Sequence, residues 1–174
     1  MHITPPSVFL WSLLLILLLG CAEERSSALP EAAAAANWEH RRMAALPHNL
    51  VLAGSYLAVY SEIYSRSEAR TLDLTATVSL RNISSVDSVF ISQADYYNTS
   101  GKRIRQYIDA PVFIAPLETI EIVIDKKDRE GGSGANFIFQ WAIRPGASEP
   151  LFEAVMISTE GCQGISFTTQ GIKR

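Results

Sequence analysis

The chain has 174 residues, of which 19% are charged and 48% hydrophobic, and a formal net charge of −3. That balance excludes the strongly basic surface that nucleic acid or another polyanion needs, and it leaves enough apolar residues for one domain with a real core. The three histidines are His2, His40 and His48, so a domain after that point has no imidazole for Ser-His-Asp or Cys-His catalysis and lacks the usual ligands of zinc.

The first twenty residues contain no Asp, Glu, Lys or Arg, and Val8 to Leu19 is an apolar run. A spanning helix needs about 20 such residues, whereas a run of this length suits the core of a secretory signal. The run ends in Leu18-Leu19-Gly20-Cys21, which resembles the lipobox of bacterial lipoproteins. The resemblance implies that residues 1–20 are a lipoprotein signal peptide and that Cys21 becomes the acylated amino terminus. More than one acyl chain anchors firmly where a single chain is marginal. Ala22, rather than Asp, follows Cys21. By the same resemblance this points to the outer membrane, facing the periplasm. An ordinary secretory signal with a chance Cys is the plainer alternative. Acylation would consume Cys21 and leave Cys162 without a partner, so no disulfide framework is expected.

Residues 21–48 read as a lipidated start followed by a flexible tether. The stretch is Ala-rich between Pro30 and Pro47, and Glu31 to Met43 has the composition of a short helix without a clean apolar stripe. Arg41 and Arg42, only two charges, are weak evidence for a contact with anionic lipid.

From residue 49 to 174 the pattern changes to period two. Leu72, Leu74, Ala76, Val78 and Leu80 alternate with polar residues, which predicts one strand with a buried and a wet face. Ile120, Ile122 and Ile124 repeat the pattern, as do Phe137, Phe139, Trp141 and Ile143, and then Phe152, Ala154 and Met156. Further runs lie at 50–60, 89–97, 103–108 and 165–169. Asn98-Thr99-Ser100-Gly101 predicts a hairpin between two of them. Pro111, Pro116, Pro145-Gly146 and the glycines near 131–134 and 161–164 punctuate the rest. No fixed-period repeat is present. The expectation is an all-β domain without helix, an immunoglobulin-like antiparallel sandwich of roughly seven to nine strands. An open barrel is second.

Five stretches together carry a resemblance: VYSEIYS (59–65), DLTATVSLRN (73–82), DYYNTSGKRIRQYIDAPV (95–112), GGSGANFIFQW (131–141) and EAVMISTEGCQGISF (153–167). In order and wording the chain resembles the domain-of-unknown-function 3124 family (DUF3124), over nearly all of 50–173. The resemblance implies a secreted or lipid-anchored bacterial protein and brings no catalytic residues. Cys162 stands where a small or polar residue is expected, so its thiol is not carried over as a family feature.

The candidate binding residues are Gly131, Gly132, Ser133, Gly134, Asn136, Tyr97 and Asp128. The glycine-rich stretch leads into a strand and lacks the Lys-Ser/Thr and helix of a P-loop. A tight turn is its plain reading; a backbone nest for an anion is the functional one. The segment from Asp125 to Gly132 mixes three carboxylates with Lys and Arg at a spacing that does not match an EF-hand, so a solvated loop is expected. Of Tyr96 and Tyr97, neighbours on a strand, one points in and one out. Lys102, Arg103 and Arg105 read as a wet strand face. The sequons at Asn82 and Asn98 are incidental in a bacterial lipoprotein.

The sequence therefore predicts a non-enzymatic lipoprotein of the bacterial cell envelope, with no cofactor and no metal. Its partners would be membrane lipid through Cys21 and an envelope protein or glycan. A periplasmic module binding a small molecule or ion through the glycine-rich loop is the alternative. A hydrolase built on paired carboxylates comes third, since it needs two carboxyl groups converging in a cleft.

Overall fold

The computed structural model describes residues 38–159 and 164–174; Cys21 and Cys162 lie outside them, as does most of the expected helix at 31–43. In chain order the strands are β1 (Val51–Ala58), β2 (Glu62–Ser65), β3 (Ser67–Asp73), β4 (Thr75–Arg81), β5 (Val89–Tyr97), β6 (Arg103–Gln106), β7 (Val112–Ile114), β8 (Thr119–Ile124), β9 (Asn136–Ile143), β10 (Leu151–Ser158), β11 (Ile165–Gln170) and β12 (Ile172–Lys173). The twelve strands among the described residues exceed the expected seven to nine, and four of them have four residues or fewer. A six-stranded sheet runs β12-β1-β9-β5-β6, with β7 also on β5, and a four-stranded sheet runs β11-β10-β4-β8. All pairings are antiparallel. The domain is the all-β sandwich that the alternation predicts. Two neighbour pairs, β4 beside β8 and β5 beside β9, are arranged like the B–E and C–F pairs of an immunoglobulin-like sandwich. The flanking places are filled differently: β1 lies beside β9 and β10 beside β4.

The core is assembled row by row. Across the smaller sheet the inward rows are Phe152–Leu80–Ile120, Ala154–Val78–Ile122 and Met156–Ala76–Ile124. All nine side chains are buried. Small residues beside large ones let the facing layer interdigitate. That layer is aromatic. Phe137, Phe139 and Trp141 of β9 point inward, and Phe139 stacks on Phe152 of the opposite sheet with centroids 4.4 Å apart and planes 7° from parallel. The Trp141 indole N–H donates to Ser55 Oγ at 2.9 Å, so its one polar atom is satisfied inside the core.

Three departures from simple alternation shape the rest. The predicted strand across 72–80 is broken at Leu74, whose N–H donates to Ser61 O. β3 leaves the sandwich there to pair with β2 as a separate two-stranded ribbon. In β5, a bulge between Ile91 and Gln93 shifts the register against β9. An inserted residue reverses which side chains face the core. Ile91, Ala94 and Tyr96 therefore point inward, while Gln93, Asp95 and Tyr97 lie opposite the outward residues Gln140, Ile138 and Asn136. The domain also contains one 3-10 turn, Gly132–Gly134.

The stretch expected to be a flexible tether up to residue 48 is docked in its described part. Trp38 packs on the core, Phe113 N–H donates to Arg41 O, and Met43 N–H donates to Pro111 O at 2.8 Å. Arg41 is buried and forms a two-pronged pair with Glu118, both contacts at 2.5 Å. Arg42 pairs with Asp109. These arginines face carboxylates of the domain, Glu118 and Asp109. Paired geometry of this kind is the strong form of an ion pair.

The Arg41 hydrogen bond holds the Glu118 carboxyl below the ordinary carboxylate range. A carboxylate lowered on folding stabilises the folded form above that range, and the contribution is lost as pH falls through it. The protection factor of the Met43 N–H is therefore expected to fall below about pH 4. Glu118→Gln should lower that protection already at pH 7. Hydrogen exchange that is equal in the variant and the parent at neutral pH would contradict this latch.

Candidate functional site

The outer face of the six-stranded sheet carries a depression of about 410 Å³ lined by Gln93, Tyr97, Gly101, Asn136, Ile138, Gln140 and Arg174. Its floor is a ladder. Gln93 lies opposite Gln140, Asp95 opposite Ile138 and Tyr97 opposite Asn136. The bulge in β5 supplies one side of this ladder, and the alternation of β9 supplies the other. Gly54 of β1 makes room for the Gln140 amide, since a Cβ at Gly54 would lie 3.1 Å from Gln140 Nε2. Arg174 is fixed at the rim by its N–H, which donates to Gly54 O at 2.9 Å. Gly101 closes the β5–β6 hairpin with φ +76°, a conformation that glycine adopts without strain.

Asp95 lies within this ladder with its side chain only 1% exposed. One carboxylate oxygen, Oδ2, accepts from Gln93 Nε2 at 2.8 Å and from Arg103 Nη1 at 3.0 Å. The other, Oδ1, is buried and has no hydrogen-bond partner. The hydrogen bond to Asp95 holds the Arg103 guanidinium more firmly protonated than usual. Arg103 is itself half exposed and also lines a neighbouring depression with Asn98, Lys102, Ile104 and Glu130.

Of the residues singled out in the sequence, Tyr97 and Asn136 are brought together in the depression. Tyr96 points the other way, stacks on Phe137 with centroids 4.8 Å apart and shares a hydrogen bond of 2.9 Å with Ser61 Oγ. The glycine-rich loop is occupied by the protein itself. Thr99 Oγ1 donates to Gly131 O and accepts from Gly134 N–H, while Gly132 N–H donates to Arg129 O and Ser61 N–H to Gly132 O. A Cβ on Gly132 would approach Thr99 Oγ1 to 2.7 Å. These glycines seat the loop on Thr99, and the amides named are already in use. Ser133 sits in the same 3-10 turn. Asp128 is engaged elsewhere, accepting from Arg105 Nη1 at 2.8 Å.

Around Asp128 the side chains are closed on one another. Arg105 also donates to Tyr107 Oη at 3.1 Å. Burial works against its charge, but the Tyr107 and Asp128 hydrogen bonds hold it protonated. Burial pushes the Tyr96 and Tyr107 hydroxyls above the ordinary phenol value, so both are neutral at pH 7. Neither phenol is poised to act as a base.

Gln93, Asp95, Gln140 and Arg174 carry no site signal in the sequence, and Arg103 reads there only as part of a wet strand face. Only the bulge and the cross-strand register reveal them.

The family model described as "Protein of unknown function (DUF3124)" matches residues 53–173. The chain belongs to the DUF3124 family. The match begins within β1 and ends at Lys173 in β12, so it takes in the whole ladder and every strand of both sheets. No curated protein matches the chain, and no solved structure matches it. Among the described residues of this DUF3124 protein, no helix is long and apolar enough to cross a membrane, and no group of three or more His, Cys, Asp or Glu is placed to hold a metal ion.

Proposed function

We propose that this DUF3124 protein is a non-enzymatic binding module of the bacterial cell envelope. Acyl chains on Cys21 hold it at the membrane, and the outer face of the six-stranded sheet recognises an envelope component. The observation that carries the reading is the lining of the depression: three carboxamides and a tyrosine on paired strands, with Arg174 beside them. Ligand pockets combine a few fixed polar groups with apolar surface, and sites on strands hold their geometry better than sites on loops. The absence of His after residue 48 and the neutral buried phenols argue in the same direction.

The anchor rests on Leu18-Leu19-Gly20-Cys21 and the apolar run before it. Ala22 favours the outer membrane, facing the periplasm. Intact-mass measurement of protein extracted from native membranes is expected to find a chain that begins at Cys21 and carries acyl groups on that residue. An unmodified Cys21 thiol, or a chain that keeps residues 1–20, would contradict the anchor.

A further inference from the structure

We propose that the depression on the outer face of the six-stranded sheet is a saccharide-binding site in which Asp95 offers the central acceptor. This rests on the binding-module reading above and names the ligand class of the same face.

Asp95 is the first observation. Both of its protein donors converge on Oδ2, while Oδ1 is buried and unpartnered. Buried carboxylate oxygens are normally satisfied, and an orphan among them needs an explanation. In the ladder it stands between Gln93 and Tyr97 on β5 and opposite Ile138, three residues that line the depression, so it lies buried among the lining positions. Arg103, which holds Oδ2, is a long side chain half in solvent. In this proposal a ligand O–H reaches Oδ1 by displacing the side chains that bury it.

The surrounding chemistry selects the ligand. A sugar hydroxyl both donates and accepts. The carboxamides of Gln93, Asn136 and Gln140 do the same, and they stand in register on adjacent strands. Tyr97 adds a flat ring, partly exposed at the end of β5, that fits the C–H face of a pyranose. Charge narrows the choice further. The Asp95 carboxylate is already paired with Arg103, and the charged residue in the lining is Arg174. An ammonium ligand is disfavoured, whereas a neutral or acidic sugar is accommodated. The volume, about 410 Å³, falls within the range of small-ligand sites.

Titration calorimetry on the full chain in mild detergent tests this, with short oligomers of N-acetylglucosamine, glucuronic acid and glucose as probes. At least one probe is expected to bind, with Tyr97→Ala and Gln140→Ala each weakening it about tenfold. Asp95→Asn should weaken it as well. Val123→Ala, on the outer face of the other sheet, should leave the affinity unchanged and so control for general loss of fold. Absence of binding by every probe at millimolar concentration overturns the proposal. So does binding that Tyr97→Ala and Gln140→Ala leave intact. If every probe fails while a photoreactive residue at position 97 captures an envelope protein, the saccharide assignment falls and the binding module stands. If both fail, both fall.

Discussion

Phe139→Ala is expected to destabilise the domain by about 4 kcal/mol. Phe139 is fully buried and holds the middle of the aromatic layer, stacked on Phe152 across the sandwich and on Phe137 along its own strand, with centroids 4.4 Å and 5.4 Å apart. Truncation removes the transfer energy of the ring and leaves a cavity. The cavity cannot collapse, because both neighbours belong to strands held in ladders on each side. A loss of that size is a large part of the roughly 5–15 kcal/mol that stabilises an ordinary domain. Urea unfolding should show the drop in midpoint with an unchanged slope. Phe139→Leu, which refills most of the space, should recover more than half of it. A Phe139→Ala variant within about 1 kcal/mol of the parent would mean that the two sheets do not meet through this ring.

Gly131→Ala is expected to cost about 3 kcal/mol, and the reason is steric. Gly131 has φ −67° and ψ −41°, which alanine adopts freely, so backbone strain contributes nothing. The added Cβ would lie 2.0 Å from Tyr96 Oη, 2.6 Å from Ser61 Oγ and 2.9 Å from Ala135 Cβ. No rotation of Tyr96 relieves this, since its ring is packed against Phe137. The methyl must break the buried Tyr96–Ser61 hydrogen bond or push the loop off Thr99. Tyr96→Phe removes the atom with the worst clash. Alone it should cost about 1–2 kcal/mol, by leaving Ser61 Oγ without its partner. Combined with Gly131→Ala it should cost at least 1 kcal/mol less than the sum of the two single changes, because the methyl then fills the space that the hydroxyl vacated. Strict additivity in that cycle would contradict the packing described.

The two-layered fold was legible because its core strands obey period two almost without exception. Ile120–Ile124, Phe137–Ile143 and Phe152–Met156 each put alternate residues into the same interior. The hairpin at Asn98–Gly101 was equally plain from its turn residues. Where the pattern misled, a local backbone event had overridden it. Leu72 to Leu80 alternates perfectly, yet the chain changes partner at Leu74. Nothing in hydropathy marks that change, since Leu74 is buried on both accounts. Residues 38–43 look like spacer because their anchoring is ionic and aromatic, through Arg41 and Trp38, without an apolar stripe. The ladder on the outer face was hidden for a third reason. Plain alternation from Ile91 puts Asp95 and Tyr97 on the core side, and only the bulge at Ser92 turns them outward. Tyr97 and Asn136 were found by residue type. Their partners were not, since Gln, Asp and Arg scattered along a sequence resemble any wet strand face. The glycine-rich loop follows its plain reading as a tight turn. Its composition attracts a ligand hypothesis, while its amides and close approaches serve Thr99, Tyr96 and Ser61.

The direct test of recognition through the outer face is photo-crosslinking in the native envelope from two positions, one on each sheet. A photoreactive phenylalanine replaces Tyr97 in one variant and Val123 in the other. An adduct with an envelope component that forms from position 97 and is absent from position 123 is the predicted result. No adduct from 97, or equal adducts from both, would contradict a binding face on the six-stranded sheet.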